Sequence, residues 1–213
     1  MDSDQKPPDA FMTALVTEHF VLQGARGTLT AESASRSALY LASLTGSLIA
    51  LGFVARDAAV LGPFAAAGLP ALLVLGEFTY WRLVQAGVED LHHSWEMRRI
   101  RAYYRQLVPP GLPFFADARL RDPTVPGKPF MGVRARDLNV LLTASSMVAA
   151  INSMLAGAAV ALAGHAIVNL SAGWAVGLAS LIAAALYLAH VRVAIREYNI
   201  GLADLRVQPP VTE

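Results

Sequence analysis

Four long stretches of this chain carry almost no charge, and that constrains its fold more than any other feature. They are residues 37–55, with no charged side chain; 58–80, whose one charge is Glu77; 138–163; and 167–191. Each holds about 19–26 residues, enough at about 1.5 Å per residue to cross a hydrocarbon layer of about 30 Å as a helix. Composition points the same way. The chain is 55% hydrophobic and 15% charged, against about 45–50% and about 25% for an ordinary soluble domain. The pattern predicts an all-α integral membrane protein with four transmembrane helices.

The links between the stretches pair them. Only Arg56 and Asp57 separate the first two, and a short stretch around Gly164 and His165 separates the last two. Links this short force antiparallel neighbours, so the expectation is two hairpins. Of the 17 Lys and Arg residues, all but Arg56 fall in the arm 1–36, the central segment 81–137 or the tail 192–213. The positive-inside rule then puts arm, centre and tail in the cytoplasm. Tyr40, Tyr80, Trp81 and Tyr187 fall at the inner interface on this reading, and Phe53 and Trp174 near the outer one. The first twenty residues are acidic and lack an uninterrupted apolar core, so no secretory signal is expected. With no Cys, disulfides, Cys-ligated metals and thiol chemistry are excluded.

The extramembrane segments have helical periodicity of their own. Phe11, Leu15 and Leu22 mark one stripe of the arm, with Asp9 as the expected N-cap and Gly24 and Gly27 as weak points. Val84, Val88, Leu91 and Trp95 carry the second span onward as a helix, which Pro109-Pro110 ends. The Pro-rich run from there to about 137 reads as an irregular loop. The tail extends the fourth span towards Pro209-Pro210, and these parts are expected to form a helical bundle below the membrane.

Four groups of residues are candidates for function. Arg98, Arg99, Arg101 and Arg105, beside Trp95, Tyr103 and Tyr104, present a basic patch suited to a lipid headgroup or another phosphate. The competing reading is a topology signal whose charges meet water or Glu89, Asp90 and Glu96. Glu77 lies about 20 residues into its span, at the inner interface, where it is expected to snorkel or pair with Arg82; a proton-coupled role would require it to face a wet cavity. Asn152, near the middle of its span, is placed to bond across helices. Ala42, Gly46 and Ala50; Ser153, Gly157 and Ala161; and Gly173 and Gly177 form small-residue faces that allow close helix contact. His165 and His190 lie near span ends with no role assigned. His92-His93 do not share a helix face and make no HExxH pattern, so no metal site is expected. No Walker loop, GxSxG elbow or dinucleotide fingerprint is present, and no catalytic residue or cofactor is expected.

The stretches TEHFVLQGAR and GVEDLHHSWEMRRIRAYY, which flank the first hairpin, resemble uncharacterised integral membrane proteins of actinobacterial type. The resemblance covers about half of the chain and implies a bacterial inner-membrane location, with no activity or site attached. The function expected is non-enzymatic: a membrane-embedded sensor, scaffold or effector whose cytoplasmic helices mediate association. Membrane lipids and further copies of the chain are the expected partners, and nucleic acid is not. A small oligomeric transporter or channel is the alternative, and a lipid-modifying enzyme a more distant one.

Overall fold

The computed structural model describes residues 8–107 and 143–207. The expected irregular loop, with Pro109-Pro110 and the Pro-rich run, and Pro209-Pro210 lie outside the described residues. Within the described part the chain is all helical. α1 spans Asp9–Val54, α2 Ala58–Gln106, α3 Ala144–Val168 and α4 Ala172–Val207. All four are long and apolar enough to cross a membrane.

Three of the helices are much longer than a bilayer requires. α1 has 46 residues, α2 has 49 and α4 has 36, so their lengths are about 69, 74 and 54 Å. Gly24 and Gly27 do not interrupt α1. Pro63 and Pro70 do not interrupt α2, although each lacks an N–H. Such prolines are tolerated in apolar helices when neighbouring groups re-satisfy the freed carbonyls.

The α1–α2 turn is closed by Asp57, whose carboxylate accepts from the Ala59 N–H at 2.9 Å and caps α2. Thr143 caps α3 in the same way, accepting from the Ser146 N–H at 3.3 Å.

Two boundary expectations are corrected. Asp9 is the first helical residue of α1, not its cap; Pro8 occupies the cap position without a side-chain bond. The missing N–H of proline suits that end, and the Asp9 charge favours the helix N-terminus. The second hairpin does not turn around Gly164 and His165. α3 runs through both to Val168, and the chain reverses at Asn169, with φ of 50°. Asn is among the few residues that enter this left-handed region readily. The Leu170 N–H returns to the Gly164 carbonyl at 3.2 Å, and a His165 ring nitrogen lies 3.0 Å from the Leu170 carbonyl.

α1 packs antiparallel to α2, and α3 to α4, giving the two hairpins. α2 and α4 run in the same direction, since Tyr80 meets His190 and, further on, Gly201 meets Val88 and His92. The main core lies where the four helices converge: Tyr40, Tyr80, Leu83, Val84, Val148, Ala149 and Ala194 are buried together. A second core joins α1 to α2 alone, with Leu22, Met97 and Ile100 buried and Leu15 and Tyr104 against them. In the most apolar stretch of each helix only 6% to 28% of residues are buried. Phe53, Trp174 and Phe78 are 80%, 77% and 71% exposed. A soluble monomer rarely leaves so much contiguous apolar surface uncovered, whereas lipid covers it at no cost.

Candidate functional site

The four-helix convergence holds a polar cluster to which every helix contributes. From α3, the Asn152 amide donates to a Glu77 carboxylate oxygen at 2.8 Å and to the Leu73 carbonyl at 3.3 Å, both on α2. From α4, His190 Nε2 lies 2.9 Å from that same carboxylate oxygen, and Nδ1 lies 2.8 Å from the Leu186 carbonyl. From α1, the Tyr40 hydroxyl donates to the Asn152 amide oxygen at 3.5 Å. Tyr80 completes it: its hydroxyl donates to the His190 carbonyl at 2.5 Å, and its ring stands edge-on to the imidazole at 4.6 Å.

Local sequence explains the assembly. Gly76 sits beneath the Asn152 amide, and any Cβ there would overlap it. Glycine thus lets α3 approach α2 closely enough for Asn152 to reach Glu77. Asn152 is 2% exposed, so its amide is satisfied inside the protein or not at all, and an unmade bond there costs far more than a made one contributes. The Glu77 side chain is 44% exposed and that of His190 12%, which leaves the carboxylate open on one side.

Beyond this cluster an ion-pair ladder fastens α1 to α2. Arg82 forks onto both Glu32 oxygens at 2.9 and 2.8 Å and reaches Glu89 at 3.0 Å. Arg36 also bonds Glu32, at 2.8 Å. Arg26 forks onto Asp90 at 2.6 and 3.1 Å. The Arg82 and Arg36 guanidinium groups pull the Glu32 carboxyl down to about 2, and the same bonds raise the Arg82 value. His19, further along α1, is lowered, first by burial and then by Arg101.

Several expectations are revised by this arrangement. Asn152 does bond across helices. Glu77 does not pair with Arg82, which Glu32 and Glu89 occupy; its partners are Asn152 and His190. His190, given no role from its place near a span end, is central. Tyr40 and Tyr80, expected as interface aromatics, are 0% and 1% exposed and belong to the core. Of the acids expected to meet the basic patch, Glu89 bonds Arg82 and Asp90 bonds Arg26. The patch stands on an unbroken helix, with Arg98 about 26 Å along the axis from Trp81.

The small-residue faces divide in two. Ser153 and Gly157 are buried inside the fold, where a Cβ on Gly157 would meet the Ala179 carbonyl and, at 3.2 Å, the Ala183 methyl of α4; Ala161, a turn further on, is partly buried. Gly46, Gly173 and Gly177 have nothing within 4 Å of a Cβ, and Ala42 is exposed and Ala50 partly so. Gly87, beneath the Tyr198 ring, and Gly201 let α2 and α4 approach and carried no sequence signal.

Comparison with known protein families, curated proteins and solved structures finds no match for this chain.

Proposed function

We propose that the protein is a non-enzymatic, membrane-embedded sensor or scaffold whose extramembrane helices mediate association with further copies of itself. The observation that carries this reading is the outer face of α1. In the arm before residue 37, Val16, Phe20 and Val21 are 44%, 66% and 58% exposed. The opposite face of the same segment packs through Leu22 onto Met97 and Ile100 of α2. An apolar face outside the charge-free stretch that no described residue covers is of the kind that marks interaction sites. α1 is one helix from this face to the end of its span, so docking at the arm and displacement in the membrane are mechanically joined.

In this proposal arm, central segment and tail are cytoplasmic, by the distribution of Lys and Arg. The resemblance of the segments around the first hairpin to actinobacterial membrane proteins supports a bacterial inner membrane. Association is tested by measuring the mass of the purified chain in native-like detergent. Wild type should be a dimer or larger, and Phe20→Glu with Val16→Ser should return it to monomer with unchanged helicity. A wild type that is monomeric at every concentration overturns the reading.

A further inference from the structure

We infer that Glu77 and His190 form a proton-binding site that locks the four helices together when loaded. The inference rests on what the two ring nitrogens of His190 face. Nε2 faces the Glu77 carboxylate at 2.9 Å, and Nδ1 faces the Leu186 carbonyl at 2.8 Å. Both partners accept. A neutral imidazole has one N–H and one lone pair, so it satisfies one of these contacts and turns a lone pair towards the other.

Two proton placements satisfy both. In one, His190 is an imidazolium and Glu77 a carboxylate. In the other, Nδ1 keeps its proton and the Glu77 carboxyl donates to Nε2. Each holds one proton more than a neutral histidine beside a carboxylate. The geometry is therefore that of the proton-loaded pair, wherever between the two atoms the proton rests. The other histidines with a bonded ring nitrogen among the described residues, His92 and His165, each contact one acceptor, through Nδ1, and a neutral ring suffices there.

The surroundings favour a response to that proton. From α1 the pair is faced by Tyr40, from α2 by Tyr80, and from α3 by the neutral Asn152; on α4 itself, Glu197 and Tyr198 lie further on, beyond Tyr80. Arg82, the nearest arginine along α2, is bonded to Glu32 and Glu89. On loss of the proton the neutral ring has one N–H for two acceptors, so the bond to Glu77 either loses its charge pairing or is given up for the Leu186 carbonyl. Asn152, sharing the same carboxylate oxygen, and the Tyr80 hydroxyl on the His190 carbonyl are then the ties left from α2 to the second hairpin at that level. The sensor reading supplies the use of such a site, and the proton would then be its stimulus; the site itself stands on the contacts.

The test is thermal unfolding of the full chain in lipid nanodiscs, followed by helicity across the range in which imidazole charges. Loss of a charged hydrogen bond in a chain of this size corresponds to a fall of about 3–12 °C in Tm, expected in wild type on going from acid to alkaline. His190→Gln keeps one N–H for Glu77 but does not titrate, so it should flatten the dependence, as should Glu77→Gln. Asn152→Ala should lower Tm at every pH and keep the slope. A flat wild-type profile, or an unchanged slope in His190→Gln, overturns the proposal. Nitrogen chemical shifts of ring-labelled wild type decide without any variant: both His190 nitrogens should be protonated, or proton-sharing, on the acid side, and one bare on the alkaline side. A monomeric chain that keeps the pH slope removes the association reading and leaves the proton site; an oligomer without the slope does the reverse.

Discussion

Glu32 shows how one side chain can engage two arginines from two helices at once. Arg82 crosses to it from α2 as a fork, while Arg36 meets it from one turn along α1. The fork fits a planar guanidinium and would not survive replacement by lysine. Because the Glu32 carboxyl is held at about 2 against an ordinary 4.5, its charge stabilises the fold fully above the ordinary value. That contribution is lost as pH falls through the depressed one. Glu32→Gln should therefore remove the part of acid destabilisation that falls between those two values, and leave the slope above them unchanged. Tm measured against pH in both proteins checks this. The sign is opposite to that expected for the Glu77–His190 pair, so the two effects separate in one titration.

At the scale of the helices, what decides contact is where a glycine faces a neighbour. Gly76 and Gly46 sit in similarly apolar helices, but a Cβ on the first overlaps the Asn152 amide and a Cβ on the second meets nothing within 4 Å. Gly76→Ala should displace Asn152 from Glu77 and cost about 1–3 kcal/mol, the usual penalty of overpacking. Gly46→Ala should change the stability of the single chain by less than about 0.5 kcal/mol. Thermal unfolding of the two variants side by side tests the contrast. Helix ends follow equally local chemistry: Asp57 and Thr143 cap, and Asn169 takes the left-handed turn that an ordinary residue would resist.

For the molecule as a whole, the long helices and the ion-pair ladder make the spans and the arm one body. The distribution of Lys and Arg predicts that a reporter active only in the cytoplasm will work when fused to Glu213, and that a periplasm-active reporter at the same place will be silent. Activity of the periplasmic fusion alone would reject four spans with internal termini. Exposed apolar residues such as Phe53 and Trp174 would be stranded in a soluble arrangement of these helices.

Helix number, helix type and the continuation of α2 beyond its span were all readable from charge-free runs, periodicity and prolines, because these are properties of consecutive residues. Asn152 was readable as a cross-helix donor because an amide inside an apolar stretch has few other outcomes. Its partner was not. Glu77 and His190 are 113 residues apart, and no local pattern relates them. Arg82, five residues from Glu77, was the obvious cation by spacing. It lost because Glu32, 50 residues away, lies on the face to which Arg82 points. The hairpin turn was misplaced for a related reason: Gly164 breaks helices on average, but Asn169 offered the chain a better place to reverse. Sequence determined that four apolar helices would form, since burying or lipid-solvating those runs is the largest free-energy term. Only the packing of helix on helix decided which polar groups met, since that depends on rotation about each axis and on the few glycines that permit close approach.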